Sequence, residues 1–188
     1  MSDCKPAKTP LEVGIQLSNT MSPTTESETN EMANIPYREA VGSLIYAMLC
    51  TRPDIAHACS EVSRYMSNPG QTHWIAVKRI LRYLKGTINL GINFSGSNIE
   101  ITGYSDSDWG RSIDDWRSTS GYVFKTGNCV ISWKSKKQAT VALSTMEAEY
   151  MAMSDAIKEV LWLIKLQNEI CNLDTLIPLN VDNQSCIN

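Results

Sequence analysis

The sequence has no excess of positive charge and no long apolar run, and each absence excludes a class of protein. Its 17 Lys and Arg against 20 Asp and Glu give a net charge of −3, so polyanion binding would require local clusters of basic residues. No segment approaches the roughly 18 uninterrupted apolar residues of a membrane span, and no basic region followed by an apolar run opens the chain. We therefore expect neither a transmembrane helix nor a signal peptide.

Cysteine and histidine are too few and too scattered for a zinc site or a disulfide framework. The six cysteines form no CxxC pair, and only two histidines accompany them. Reduced cysteines and an intracellular location, cytoplasmic or nuclear, are expected. With 188 residues and 43% hydrophobic content, the chain can nevertheless bury a core.

The composition divides the chain into three parts. Residues 1–35 are rich in Ser, Thr, Pro, Asn and Glu, which predicts a disordered arm or linker. Residues 36–87 carry helical periodicity in three pieces, 38–50, 53–66 and 72–85, with Gly86 as the expected C-terminal cap of the third. Residues 88–188 change to the alternation of strands and form the third part.

The third of these predicted helices has a basic side. Its members are Lys78, Arg79, Arg82 and Lys85. A solvated helix face explains the pattern, and so does a helix that lies along a phosphate backbone. The string Arg79-Ile80-Leu81-Arg82 also resembles the R-x-L-R host-translocation motif of secreted pathogen effectors, although Leu81 falls on the buried side of the helix. A secreted effector that acts in a host cell is therefore an alternative function.

The second half predicts strands, a hairpin and one long helix. Strands are expected at 90–94, 99–106 and 177–181, with a hairpin of 121–125 and 129–133. Residues 144–170 contain no Gly or Pro and predict a helix, which Ser144 and Glu147 begin as a capping box. Its buried stripe is predicted to carry Met153, Ala156, Val160 and Ile164.

Three acids stand at the edges of these apolar elements. Asp106 ends one strand, Asp182 ends another, and Glu149 lies at the head of the buried stripe of the helix. Carboxylates that converge at one sheet edge repel each other unless cations lie between them, and oxygen ligands of this kind select Mg²⁺ or Mn²⁺. Asp108 shares the strand face of Asp106, so periodicity alone does not separate the two.

Several long motifs resemble one known family. YSDSDWG at 104–110, RSTSGYVF at 117–124, ISWKSKKQATVALSTMEAEYMA at 131–152 and VDNQSCI at 181–187 resemble the RNase H domain of copia-type LTR retrotransposon Pol polyproteins. The segments PYREAVGSLIYAMLCTRPDIAHA, MSNPGQTHW and AVKRILRYLKGT resemble the connection that joins reverse transcriptase to that domain. DCKPAKTPLE resembles the end of the polymerase region. The resemblance covers nearly the whole chain.

The resemblance implies an α/β fold with a helical connection segment, followed by an incomplete RNase H-like mixed sheet and a long packed helix. It implies that Asp106, Glu149 and Asp182 are the catalytic and metal-binding acids, that Mg²⁺ or Mn²⁺ is the cofactor, and that the substrate is the RNA strand of an RNA–DNA hybrid. Further contacts to nucleic acid are expected from hydroxyls and lysines: Ser118, Thr119, Ser120, Lys134, Lys136 and Lys137.

The sequence also departs from the family pattern. It contains no counterpart of the family's fourth metal-binding aspartate, of its fifth strand or of the polymerase aspartate pair. We therefore expect a truncated domain with little or no hydrolysis. Binding of nucleic acid without catalysis is the other function that the basic residues would support.

Overall fold

A computed structural model describes residues 3–94, 100–172 and 176–183 of the chain. The chain forms two compact units, Met1–Gly91 and Ile92–Asn188, which we call the helical unit and the sheet unit. The described residues combine α-helices with a mixed β-sheet and a long helix in the second unit. The α/β class predicted from the sequence is confirmed.

The helical unit contains four α-helices in its described residues. The helix predicted at 72–85 is present and extends by one residue at each end, with Gly86 as its last helical residue and Thr87 as the cap. The cap therefore lies one position later than the sequence predicts. The α-helices are α1 Glu26–Ala33, α2 Tyr37–Cys50, α3 Ala56–Ser63 and α4 Gln71–Gly86.

The first 35 residues differ from the predicted solvated arm. Leu17 is only 5% exposed within the core formed by α2, α3 and α4, and α1 begins with a full capping box between Thr25 and Glu28. The backbone N–H of Ala7 donates to the carbonyl of Arg82 in α4. The compositional argument failed because a few apolar side chains suffice to anchor a polar segment on an existing helical core.

An ion pair between buried Arg52 and the more exposed Asp54 lies near the end of α4. Arg52 donates to both carboxylate oxygens of Asp54, at 2.9 and 2.8 Å, and to the carbonyl and hydroxyl oxygens of Thr87. A planar guanidinium suits this arrangement because several of its N–H groups can donate at once. The charge of Arg52 is thereby paired within the chain.

The sheet unit has four described strands in the order β3-β2-β1-β4. The β1 strand pairs antiparallel with β2 and parallel with β4, and β2 pairs antiparallel with β3. The predicted hairpin is confirmed with longer strands, and its two-residue turn begins with Gly127 at a φ of 56°. The elements are β1 Ile101–Asp108, β2 Thr119–Thr126, β3 Cys129–Lys137, α5 Thr145–Cys171 and β4 Leu179–Val181.

The strand predicted at 90–94 is absent. Leu90 and Phe94 are exposed, and both sides of β1 are already occupied by β2 and β4. The predicted turn at 95–98 and the helix expected from Asp182 onward lie largely outside the described residues.

The predicted long helix is confirmed as α5, and Ser144 is its N-cap. The Ser144 hydroxyl accepts from the backbone N–H of Glu147, but the carboxylate of Glu147 accepts from Leu143 instead of completing the box. Ala156 of the predicted stripe is buried against Phe124 of the sheet, and Val160 and Ile164 pack beside it. None of the helices described here is long and apolar enough to cross a membrane.

Candidate metal and nucleic-acid site

Parallel pairing of β1 with β4 brings two of the three acids to the same edge of the sheet. Ser105 pairs with Val181, and an aspartate follows each of them: Asp106 within β1 and Asp182 directly after the end of β4. Both aspartates are exposed. Asp106 and Asp182 are 76 residues apart in the sequence, and the parallel register of β1 and β4 makes them neighbours in the fold.

The α5 helix places the third acid beneath them. Its buried face carries small residues near the N-terminus, Ala148, Ala152 and Ala156, so the helix backbone can approach the sheet closely. Glu149 lies on this face and is only 7% exposed. Its Oε1 atom accepts from the backbone N–H of Ser107 at 3.2 Å and from its hydroxyl at 3.0 Å. Glu149 is therefore fixed against β1 beside Asp106.

The three carboxylates form one cluster. Asp106, Glu149 and Asp182 each offer an oxygen atom, and these atoms all lie within 4.8 Å of one another. Burial raises the pKa of Glu149, the bonds from Ser107 oppose this, and the charges of Asp106 and Asp182 raise it further. The Oε2 atom of Glu149 is buried and has no hydrogen-bond partner among the described residues. Such an atom is costly unless a ligand satisfies it.

The structure separates Asp108 from Asp106, which the strand periodicity could not do. The carboxylate of Asp108 accepts a hydrogen bond from the backbone N–H of Thr119, the residue that pairs with it across β1 and β2. Asp108 is not part of the carboxylate cluster found in the described residues. Its side chain instead closes the first pair of the β1–β2 ladder.

The predicted lysines near the site have different surroundings. The ammonium of Lys134 lies 3.2 Å from the carboxylate of Asp155, and Lys137 lies 2.6 Å from that of Asp115. Lys136 is exposed at the same end of β3. Of these three, Lys136 has the side chain that is most open to an external phosphate.

The predicted hydroxyl contacts are not at the surface. Ser118, Thr119 and Ser120 are all buried. The Ser118 hydroxyl accepts from the backbone N–H of Gly110, and the Ser120 hydroxyl accepts from the side chain of Gln138. These serines therefore hold the sheet together rather than face a ligand.

Most of the basic side of α4 is bonded to the beginning of the chain. Arg79 donates to the hydroxyl of Thr9 at 3.1 Å, Arg82 to the carbonyl of Lys5 at 2.8 Å, and Lys85 to the carbonyl of Cys4 at 2.8 Å. Lys78 is half-buried. A role of these four residues in binding nucleic acid remains a prediction, and residues 4–9 occupy part of the surface it would need.

Sequence reasoning missed two residues that position the cluster. Ser107 orients Glu149, and its place between Asp106 and Asp108 gave no separate signal. Gln138 donates to the Ser120 hydroxyl and to the carbonyl of Ala148, both at 2.9 Å, and so connects the sheet to the first turn of α5. The position of Gln138, a polar residue shortly after one predicted strand and shortly before the predicted helix, was the only sequence feature that could have indicated this role.

Comparison with known proteins identifies the family. The chain is 48% identical over 187 residues to the retrovirus-related Pol polyprotein from transposon TNT 1-94 of Nicotiana tabacum, covering 100% of this chain and 14% of the polyprotein. It is 41% identical over 171 residues to the corresponding polyprotein from transposon RE1 of Arabidopsis thaliana, covering 90% of this chain and 11% of that one. No protein-family model matches the chain.

The chain is also similar to a shorter protein with a different name. It is 50% identical over 133 residues to secreted RxLR effector protein 161 of Plasmopara viticola, covering 70% of this chain and 94% of that protein.

The chain belongs to the family of copia-type retrotransposon Pol polyproteins and spans between about one ninth and one seventh of the length of the polyproteins cited.

Proposed function

We propose that the carboxylate cluster binds Mg²⁺ or Mn²⁺ and that the sheet unit is an RNase H-like domain. The observation that carries this proposal is the convergence of Asp106, Glu149 and Asp182, from three separate elements, to within 4.8 Å. Like charges at this separation raise the free energy of the folded state, and a divalent cation between them removes that cost.

The donor set fits a hard divalent cation. All the ligand atoms are carboxylate oxygens, and no His or Cys joins them among the described residues. The Oε2 atom of Glu149 supplies a buried acceptor that still lacks a partner, while Ser107 holds Oε1. Asp106 and Asp182 are exposed, so the site is accessible from solvent.

The ancestral reaction of this site is hydrolysis of the RNA strand of an RNA–DNA hybrid. A bound metal pair would activate water and stabilise the leaving oxygen of a phosphodiester. Asp106 and Asp182 would provide open ligand positions at the sheet edge, and Glu149 would fix the inner one. The described residues bring three carboxylates together, and we expect slow hydrolysis of the hybrid from this ligand set.

A hybrid-cleavage assay in Mn²⁺ tests this proposal, with the chain compared with Asp106→Asn. We expect weak release of RNA fragments that the substitution abolishes. Equal cleavage by both proteins would exclude the assigned site. Absence of cleavage by both, together with metal binding by the unsubstituted chain, would reduce the function to binding without catalysis.

A second candidate function is that of a secreted effector in a host cell. The similarity to the Plasmopara viticola effector protein favours it, since the chain covers 94% of that protein. The R-x-L-R string lies within α4, where Ile80 is buried and both arginines donate hydrogen bonds to the chain's own first residues.

Export of a tagged chain tests the effector function. Detection outside the producing cell, and loss of host entry when Arg79 and Arg82 are both changed to Ala, would support it. Detection only inside the producing cell would contradict it.

A further inference from the structure

The loop 109–118 joins β1 to β2 at the end of the sheet that carries the carboxylates. The residues on either side of the loop, Asp108 and Thr119, pair with each other across β1 and β2. Asp108 lies two residues after Asp106. The indole N–H of Trp109 donates to the carbonyl of Ala142 at 3.1 Å, and the backbone N–H of Gly110 donates to the Ser118 hydroxyl at 3.0 Å. The loop is therefore fixed to the sheet and to the segment before α5.

Trp116 projects from this loop in an unusual conformation. Its φ is 55°, a region that large side chains rarely adopt, and it is 69% exposed. Its backbone N–H donates to the carbonyl of Ser112 at 2.8 Å. The neighbouring Asp115 is held by the ammonium of Lys137 at 2.6 Å. The fold thus maintains a strained backbone and an exposed indole together, a combination that is typical of functional sites.

A basic cavity begins at the residue after Trp116. It has a volume of about 580 Å³ and lies between the start of β2, the end of β3 and one side of α5. Its lining contains four basic residues and one acid: Arg117, Lys136, Lys137, Lys158 and Asp155. Arg117 and Lys137 form ion pairs with Asp115, and Lys158 with Asp155, so the exposed Lys136 is the cation most open to a phosphate. An exposed aromatic ring beside a cluster of cations is the arrangement by which proteins bind nucleic-acid strands, the ring contacting bases or sugars and the cations the phosphates.

We propose that Trp116 is a substrate-binding residue that packs against a nucleoside of the nucleic-acid strand bound at the carboxylates. The inference rests on the proposed function, because it takes its ligand from there. Trp116 lies five positions before Gly121, which pairs with Asp106, so its Cα atom lies at most about 18 Å from that of Gly121 and at most about 24 Å from that of Asp106. At 3.4 Å per nucleotide along a duplex strand, this distance corresponds to about seven nucleotides, so the indole would contact a position near the carboxylates on the same strand.

Binding of a labelled RNA–DNA hybrid in the presence of Mg²⁺, measured by fluorescence anisotropy on the full chain, tests this inference. Trp116→Ala should weaken binding about 5- to 20-fold, the lower part of the range for loss of one stacking contact. Trp116→Tyr should restore binding to within about twofold, since it retains an aromatic ring. The matched control is Trp162→Ala, which removes an exposed tryptophan 13 residues along α5 from Glu149 and should change nothing.

Trp116→Gly separates binding from a structural role. Glycine adopts a positive φ without strain, so this variant should be at least as stable as the unsubstituted chain and yet bind the hybrid as weakly as Trp116→Ala. Equal hybrid affinity of the unsubstituted chain, Trp116→Ala and Trp116→Gly would overturn the inference and leave the metal site untouched. Failure of the unsubstituted chain to bind the hybrid at all would instead reject the substrate assigned under the proposed function, and the inference with it.

Discussion

Each unit contains a buried charged side chain, and the two side chains differ in whether the chain itself supplies their partners. In the helical unit, the guanidinium of Arg52 is buried and donates to both oxygens of Asp54 and to Thr87. In the sheet unit, the carboxylate of Glu149 is equally buried, but one oxygen has no partner among the described residues and two further carboxylates lie beside it. The charge of Arg52 is therefore compensated by groups of the chain itself. The carboxylate cluster would need a bound cation to compensate its charge.

This difference distinguishes a structural ion pair from a binding site. Removal of one member of a satisfied pair lowers stability because the other charge is left unpaired. Removal of one member of a repelling cluster relieves repulsion and destroys affinity for a cation at the same time. Removing a member of the Arg52–Asp54 pair should therefore lower stability, whereas removing a member of the carboxylate cluster should raise stability in the absence of metal and lower the affinity for a cation.

The largest effects are expected from the two cores. Ile80→Ala in α4 and Phe124→Ala in β2 each remove a fully buried side chain, which typically costs about 2–5 kcal/mol for Ile and about 3–5 kcal/mol for Phe. Chemical denaturation should show both losses, and only Phe124→Ala should also weaken Mg²⁺ binding. A loss of metal affinity in Ile80→Ala equal to that in Phe124→Ala would show that the comparison between the units is wrong.

Arg52→Met should have the next largest effect. It removes the ion-pair partner of Asp54, whose side chain is 25% exposed and keeps the hydrogen bond from Tyr83, and should lower the free energy of unfolding by about 1–3 kcal/mol. Lys158→Met is the matched control, because its ion pair with Asp155 is exposed and should contribute less than about 0.5 kcal/mol. Equal losses in the two variants would contradict the structural role of the Arg52 pair.

The pH dependence of stability should also differ between the units. Partial burial acts to raise the pKa of Asp54, but the bonds from Arg52 and Tyr83 lower it by more, so its net pKa lies below the ordinary value. Its contribution is present above pH 3.8 and is lost as the pH falls through the lowered pKa. Glu149 has a raised pKa, so its contribution to stability decreases as the pH rises from 4.5 through that pKa.

Asp106→Asn tests the sign of the Glu149 contribution. Without metal, this variant should be more stable than the unsubstituted chain above pH 4.5 by less than about 1 kcal/mol, the usual size of an interaction that involves an exposed charge. Thermal unfolding in chelator at several pH values provides the measurement. Lower stability of Asp106→Asn throughout this range would show that the carboxylates do not repel each other.

The smallest effect is expected where α4 contacts the first residues. Arg82→Met removes one exposed hydrogen bond to the carbonyl of Lys5 and should cost about 0.5 kcal/mol. Hydrogen exchange should show faster exchange at Ala7, whose backbone N–H donates to the carbonyl of Arg82, with little change elsewhere. Unchanged exchange at Ala7 would mean that this contact does not order the segment.

The sequence predicted the parts of the fold that depend on local patterns. The long α5 helix, the hairpin turn at Gly127 and the α4 helix follow from periodicity, capping and turn residues, and the prediction of Glu149 follows from its place on the buried face of α5. The choice of Asp106 over Asp108 came from the family resemblance alone. Contacts between distant segments were missed, because no local pattern records them. The packing of Leu17 into the helical core and the bonds from Ser107 to Glu149 are of this kind.

The basic residues show the same limit. Their spacing on α4 correctly identified a charged side of the helix, but not that Arg82 would donate to Lys5, 77 residues earlier. The conformation of Trp116 was likewise not predictable, since a positive φ at tryptophan contradicts its intrinsic preference and depends on the bonds that fix the loop.

Calorimetric titration with Mn²⁺ tests the central claim most directly. The unsubstituted chain should bind the cation, and Glu149→Gln should lower the affinity at least about tenfold, because it removes the charge from the buried ligand. Glu147→Gln, which changes an exposed carboxylate on the same helix, should bind like the unsubstituted chain. Equal affinity of Glu149→Gln and Glu147→Gln would contradict the assignment of the three carboxylates as a metal site.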